Sequence, residues 1–290
     1  MQCITNNVRV GSIEVAYDEF GRDGSSPRPF VLVHGLTGHR RDWETQHAFL
    51  ASRGRNLALD LRGHGDSTNT GDPSTYTFAQ LVEDLRGFLD AAGIESCDLL
   101  GHSVGGMVAL RFVLEYPERV ASLVAMNTTP EAPEGYERWI FERGGQLGRE
   151  KGMAELQRTI ETVTRQAKTP VSESHLANWP VDYWEHHRMR YATMDPNAYE
   201  YLALAMVDQE SLAPRLGEIT CPTLVLVGED DTEYLPGAEL LVEGIVGARR
   251  VIVPRAGHHP HQENSEAWRE AVAAHLERVR EGSFGKGAGS

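Results

Sequence analysis

One five-residue string stands out for chemistry: Gly101-His102-Ser103-Val104-Gly105, a serine framed by glycines. It follows the apolar run Cys97 to Leu100 and precedes a helical pattern from Val104 to Tyr116, so the serine sits where a strand turns into a helix. Such a turn forces the serine backbone into a strained conformation, and side chains at the flanks would collide, which accounts for the glycines. The gain is a hydroxyl exposed above a helix N-terminus, whose free N–H groups favour developing negative charge. A serine hydroxyl is a weak nucleophile at neutral pH and needs a base within hydrogen-bond reach. Gly257-His258-His259-Pro260-His261-Gln262-Glu263 offers three imidazoles. A carboxylate to orient the base is available in Gly228-Glu229-Asp230-Asp231, directly after the apolar run Thr223 to Val227. The residues alone do not choose among these histidines or these acids. A metal site built from the same histidines and Glu263 lacks any partner motif, so no metal is expected.

The elements that must position these groups are visible in the periodicity. Asn7 to Val10 and Ile13 to Tyr17 alternate on either side of Gly11-Ser12 and predict an antiparallel hairpin. Pro29 to Val33 is a nearly unbroken apolar run, as expected of a central parallel strand covered on both faces. The signature returns at Leu57 to Leu59, Cys97 to Leu100, Leu123 to Met126, Thr223 to Val227 and Val251 to Val253. Between most of them lie helical patterns. The clearest begins at Thr77, forms a capping box with Gln80, and puts Phe78, Leu81, Val82, Leu85, Phe88 and Leu89 on one face before Gly93. This alternation predicts an α/β fold, a mostly parallel twisted sheet with helices on both faces. From Thr128 to about Leu216 the strand rhythm stops, and prolines divide a Trp- and Met-rich stretch into short helices, the last over Ala198 to Val207. The expected division is a core of residues 1–128 and 216–281, a helical cap inserted at 129–215, and a flexible Gly/Ser-rich tail at 282–290.

With those motifs in that order, the chain resembles the α/β-hydrolase superfamily, from the first hairpin to Glu281 apart from the insertion. His34-Gly35-Leu36-Thr37-Gly38 is similar to the loop after the third strand, Asp60-Leu61-Arg62-Gly63-His64-Gly65-Asp66-Ser67 to the loop after the fourth, and Gly257-His258 to the loop after the last. The resemblance implies a triad of Ser103, His258 and Asp231, with the backbone N–H groups of Leu36 and Val104 as oxyanion hole. It also implies structural, loop-holding roles for His34 and His64. His259 and His261 are then surface or pocket-rim residues. Some relatives carry the acid after the strand Leu123 to Met126, but Asn127-Thr128-Thr129 has no carboxylate. A serine at position 103 separates the chain from dehalogenases and epoxide hydrolases, which resemble it but use aspartate there. The expected activity is therefore hydrolysis of a small carboxylic ester or lactone through an acyl-enzyme. Alternatives using the same triad are C–C bond hydrolysis of vinylogous diketones, amidase or acyltransferase chemistry, and a non-catalytic ligand receptor. Candidates for the pocket wall are His102, Trp139, Trp179, Trp184 and Tyr191, each with a plainer explanation as packing. Helix capping and core packing account for Asp42 and Trp43.

Composition bounds the partners. At 40% hydrophobic and 24% charged residues the 290-residue chain matches an ordinary globular protein. Its formal charge of -14 repels nucleic acid phosphates and anionic headgroups, so neither nucleic acid nor membrane is an expected partner. Cys3, Cys97 and Cys221 are too few and scattered for a disulfide framework, and the two internal ones, beside apolar strand-like runs, read as buried inert thiols. The opening residues lack a signal-like pattern, so a cytoplasmic location is expected. The partner is a small acyl substrate, no cofactor is required, and a homo-oligomer is among the states the sequence allows.

Overall fold

A computed structural model describes residues 3–21, 28–167 and 183–282. Its centre is an eight-stranded sheet in the order β1-β2-β4-β3-β5-β6-β7-β8. These strands are β1 (Ile4–Val10), β2 (Ile13–Phe20), β3 (Phe30–Val33), β4 (Asn56–Leu59), β5 (Cys97–His102), β6 (Val120–Met126), β7 (Thr223–Gly228) and β8 (Arg249–Val253). β1 and β2 form the antiparallel hairpin, closing at Val10↔Ile13 around Gly11-Ser12, and β2 lies antiparallel to β4; every other pairing is parallel.

The central strands are buried along their whole length because both faces are covered. Alternate residues serve two separate cores. Val31, Val33 and Leu99 pack on one face with helices α1 (Phe78–Ala91) and α2 (Val104–Glu115). Phe30, Leu32 and Leu100 pack on the other with Trp43 and Trp268. Each such fully buried aliphatic side chain stabilises the fold by about 1.5–3 kcal/mol relative to an exposed one. The apolar face expected of α1 is buried in full. Its cap is half of the expected box: Thr77 Oγ1 accepts from the Gln80 N–H at 3.2 Å, but the Gln80 side chain turns away to Asp84 at 3.2 Å. Asp84 draws it because that buried carboxylate already holds Arg62 in a two-pronged ion pair at 2.5 and 2.6 Å.

Between β6 and β7 stand α3 (Arg138–Lys151), α4 (Met153–Ala167), α5 (Tyr183–Ala192) and α6 (Pro196–Val207); α7 (Leu235–Gly244) and α8 (Ser265–Glu281) complete the sheet's cover. Asp195 both caps α6 and ties it to the sheet: its N–H donates to Gly63 O at 2.9 Å, and its carboxylate accepts from Tyr76 Oη at 2.6 Å and Gly71 N at 2.9 Å. Trp179 and the tail 283–290 lie outside the described residues. The cysteines are free, with Cys97 buried, Cys221 half-buried and Cys3 exposed; burial pushes the Cys97 thiol up and that of Cys221 to about 11. Among the described residues no helix is long and apolar enough to cross a membrane.

The strand order fixes where a site can be. Connections leave β3 towards β4 on one side and β5 towards β6 on the other, so the carboxyl ends of β3 and β5 border a switch point, the usual crevice of such sheets. The segments following β3, β5, β6, β7 and β8 therefore emerge side by side.

Candidate active site

Ser103 joins β5 to α2 at φ 54° and ψ -121°, a left-handed conformation that costs an L-residue about 1–2 kcal/mol. The strain is held from β6: the Ser103 N–H donates to Met126 O at 2.9 Å, and Thr128 Oγ1 donates to Ser103 O at 2.8 Å. A Cβ on Gly105 would come within 2.4 Å of His34 O and 2.5 Å of Val33 O, and one on Gly101 within 2.3 Å of Gly105 O. The glycines are required by backbone contact that no side chain could relieve.

His258 follows β8, and its Nδ1–H donates to Asp231 Oδ2 at 2.8 Å. Asp231 is buried in the turn after β7, and the same oxygen accepts from Asn127 Nδ2 at 2.5 Å. Asn127 also donates to Gly257 O at 3.0 Å and itself sits at φ 44°. The position at the end of β6 where an acid was sought thus carries an amide that clamps the acid of β7 to the loop of the histidine. Burial alone would push the His258 imidazole down, but Asp231 outweighs it, with Glu263 and Glu233 adding to the effect, and its pKa is raised. The Glu263 carboxylate accepts from the Gly257 and His259 backbone N–H groups and so shapes the loop. His102 Nε2 donates to His258 O at 2.7 Å, so this imidazole lines the cavity and also fixes the backbone of its neighbour. The imidazole's carboxylate partner is Asp231 rather than its neighbours: the Glu229 carboxylate accepts from Arg255 N at 3.0 Å, and the Asp230 backbone N–H donates to Ala256 O at 2.9 Å.

The loop after β3 is held by histidines. His34 Nδ1 donates to Gly35 O at 2.8 Å while its Nε2 accepts from Leu61 N at 3.0 Å, a neutral tautomer consistent with the burial that pushes its pKa well down. Gly35 O also accepts from Gly38 N at 3.0 Å. Because the peptide is planar and trans, pinning that carbonyl aims the Leu36 N–H the opposite way. The ring nitrogens of His64 face Arg62 O at 2.9 Å and Leu36 O at 2.5 Å. Val104 opens α2, where the helix offers its N–H no acceptor.

A cavity of about 120 Å3 brings these groups together. The sheet side contributes Leu36, Ser103, Tyr234 and His258; the segment between β6 and β7 contributes Tyr136, Phe141, Arg190 and Met206. Tyr234 lines the cavity with Ser103, its hydroxyl donating to Met206 Sδ at 3.8 Å and its ring 6.3 Å from that of Tyr136, and burial pushes its phenol up to about 12.

Residues 28–265 match the family model described as alpha/beta hydrolase fold. The chain belongs to the α/β-hydrolase family. It is 28% identical over 258 residues, 86% of this chain and 90% of the relative, to a Bacillus subtilis protein provisionally named a 2-succinyl-6-hydroxy-2,4-cyclohexadiene-1-carboxylate synthase. A thermophilic esterase from Thermogutta terrifontis superposes with a TM-score of 0.76 at 26% identity, over 96% of this chain and 99% of that one. An enol-lactonase from Burkholderia xenovorans LB400 shares the fold with a TM-score of 0.78 at 24% identity, over 94% of this chain and 100% of that one.

Within this α/β-hydrolase the expected aromatic wall is largely replaced. Trp139 is 56% exposed and does not reach the cavity. Trp184 is buried inside the helical insertion, between the Arg165 guanidinium and His187. Tyr191 is buried, stacks on His187 at 4.6 Å and is not among the residues that line the cavity. His261, expected at the rim, is fully buried against Trp43, whereas His259 does line the cavity. Asp42 caps as expected, accepting from His39 N at 3.0 Å, but also bonds His186 and borders the cavity. Sequence reasoning missed Tyr136, Phe141, Arg190, Met206 and Tyr234, because nothing in a helical or loop pattern tells which side chain ends above a distant serine.

Proposed function

We propose that the protein is a serine hydrolase that cleaves a small carboxylic ester or lactone through an acyl-enzyme. The observation that carries this is the 2.8 Å bond from His258 Nδ1 to Asp231 Oδ2 beside a serine held at positive φ in the same cavity. That bond commits the proton of the neutral imidazole to Nδ1 and leaves Nε2 as the base. On attack, Ser103 Oγ bonds to the acyl carbon and passes its proton to His258 Nε2. The carbonyl oxygen, now an anion, is met by the Leu36 and Val104 N–H groups. Collapse of this intermediate breaks the acyl–oxygen bond, and His258 returns the proton to the departing alkoxide. Water then repeats the sequence on the acyl-serine, yielding the acid and free Ser103. The small cavity favours short acyl groups over long chains.

Labelling with a fluorophosphonate probe and turnover of short aryl esters and lactones test this. Wild type is expected to label and hydrolyse, and Ser103→Ala to lose the label with roughly four or more orders of magnitude in kcat/KM. A wild-type protein that neither labels nor turns over any acyl substrate overturns the reading.

A further inference from the structure

Arg190 is a cation in the wrong state of company. Its side chain is 2% exposed, yet its Nε has no hydrogen-bond partner among the described residues. Among the described residues its nearest carboxylate oxygen is Asp42 Oδ2 at 3.8 Å from Nη1, beyond hydrogen-bond length. Nor is Asp42 waiting for it: Oδ1 accepts from His186 Nε2 at 2.6 Å and Oδ2 from the His39 N–H at 3.0 Å. The contrast within the same molecule is Arg62, whose guanidinium grips Asp84 with two bonds of 2.5 and 2.6 Å. An arginine kept for structure is bonded as Arg62 is; a buried guanidinium with one loose ion pair is costly unless something else completes its shell.

Arg190 lines the cavity that holds Ser103 and His258, and it is the one lysine or arginine among the described residues that does so. A Cβ on Gly38 would lie 2.8 Å from Asp42 Oδ2, which puts Asp42, and Arg190 beside it, at the oxyanion-loop end of that cavity. Burial keeps the adjoining His259 neutral, so the positive charge there is the guanidinium's own. We propose that Arg190 is a carboxylate-binding subsite, and that the substrate is an ester or lactone bearing a second, free carboxylate. The planar guanidinium matches a carboxylate two-pronged. A single cation with Asp42 nearby suits a monoanionic group, whereas a phosphate dianion would call for more positive charge than the cavity offers. This substrate class rests on the reading of Ser103 as nucleophile; the carboxylate subsite itself does not.

The test uses two matched pairs of substrates. 4-Acetoxybenzoate against 4-acetoxybenzamide places the charge on the alcohol side, and the phenyl monoester of glutaric acid against that of glutaramic acid places it on the acyl side. Wild type should favour the carboxylate member of at least one pair by about tenfold or more in kcat/KM. In Arg190→Gln the ratio should collapse towards one, mainly through KM, and Arg190→Lys should restore part of it. Calorimetry on Ser103→Ala protein with glutarate and benzoate reads the subsite without turnover, and binding should vanish in the Ser103→Ala/Arg190→Gln double variant. No preference in either wild-type pair and no carboxylate binding overturn the subsite while leaving the hydrolase standing. Equal losses for both members of a pair in Arg190→Gln likewise overturn it and leave Arg190 a bridge to Asp42. Carboxylate binding without labelling or turnover keeps the subsite and removes the hydrolase.

Discussion

At the residue scale the site works by removing freedom from a few polar atoms. His258 is held at its side chain by Asp231, at its carbonyl by His102 and at the flanking peptides by Glu263. Asp231 in turn shares one oxygen between His258 and Asn127. Since Asp231 raises the His258 pKa against the opposing effect of burial, protonated and inactive imidazole persists to higher pH than the ordinary 6.5. The acid limb of kcat/KM against pH should therefore have its midpoint above 6.5, rising with pH. Stopped kinetics on a short aryl ester from pH 5 to 9 would read it, and a limb below 6.5 would contradict the coupling. Ser103 and the loop of candidate acids were legible in the sequence because a strand-to-helix turn with obligatory glycines has a fixed spelling. Asn127 was legible only as the absence of an acid, since nothing local shows that its amide reaches 104 residues along the chain to Asp231.

At the element scale the decisive fact is how closely α2 and β5 approach the end of β3. The Gly105 Cα faces main-chain oxygens of Val33 and His34, neither of which can rotate away. Gly105→Ala should destabilise the protein by about 3 kcal/mol, the upper end of what overpacking costs, and disturb the Ser103 turn with it. Chemical denaturation monitored by tryptophan fluorescence measures the first effect, and fluorophosphonate labelling rate the second; an unchanged midpoint and rate would show the backbone can give. Strands and amphipathic helices were readable from periodicity because both cores are continuous and the two sheet faces are covered. The helical insertion was readable as helices, but not by what it turns inwards. Trp139 and Trp184 had the composition of a pocket wall, yet one faces solvent and the other packs within the insertion, while Arg190 reaches the cavity.

At the scale of the whole molecule, the chain stores many imidazoles in neutral form. Burial lowers the pKa of His34, His102 and His259 well below the ordinary value, that of His261 to about 3 and that of His275 to about 4. The unfolded chain binds these protons near pH 6.5 and the folded one does not, so stability is complete above that pH and falls as pH drops below it. Each such group contributes about 1.4 kcal/mol per pH unit in that window. His258, raised instead, opposes them weakly and adds stability only below its folded value. The melting temperature should fall steeply between pH 6.5 and 4, and a flat profile there would mean that these rings find water or partners on protonation. The sequence by itself determined the sheet, the strained serine turn and the family, because each depends on short-range pattern: alternation, apolar runs, and glycines where the backbone must pass close. Only the tertiary structure decided which side chains share the cavity, because that depends on how far the insertion folds back over the sheet. A buried guanidinium from that insertion, and an amide beneath the acid, become functional candidates through contacts between segments that no local spacing encodes.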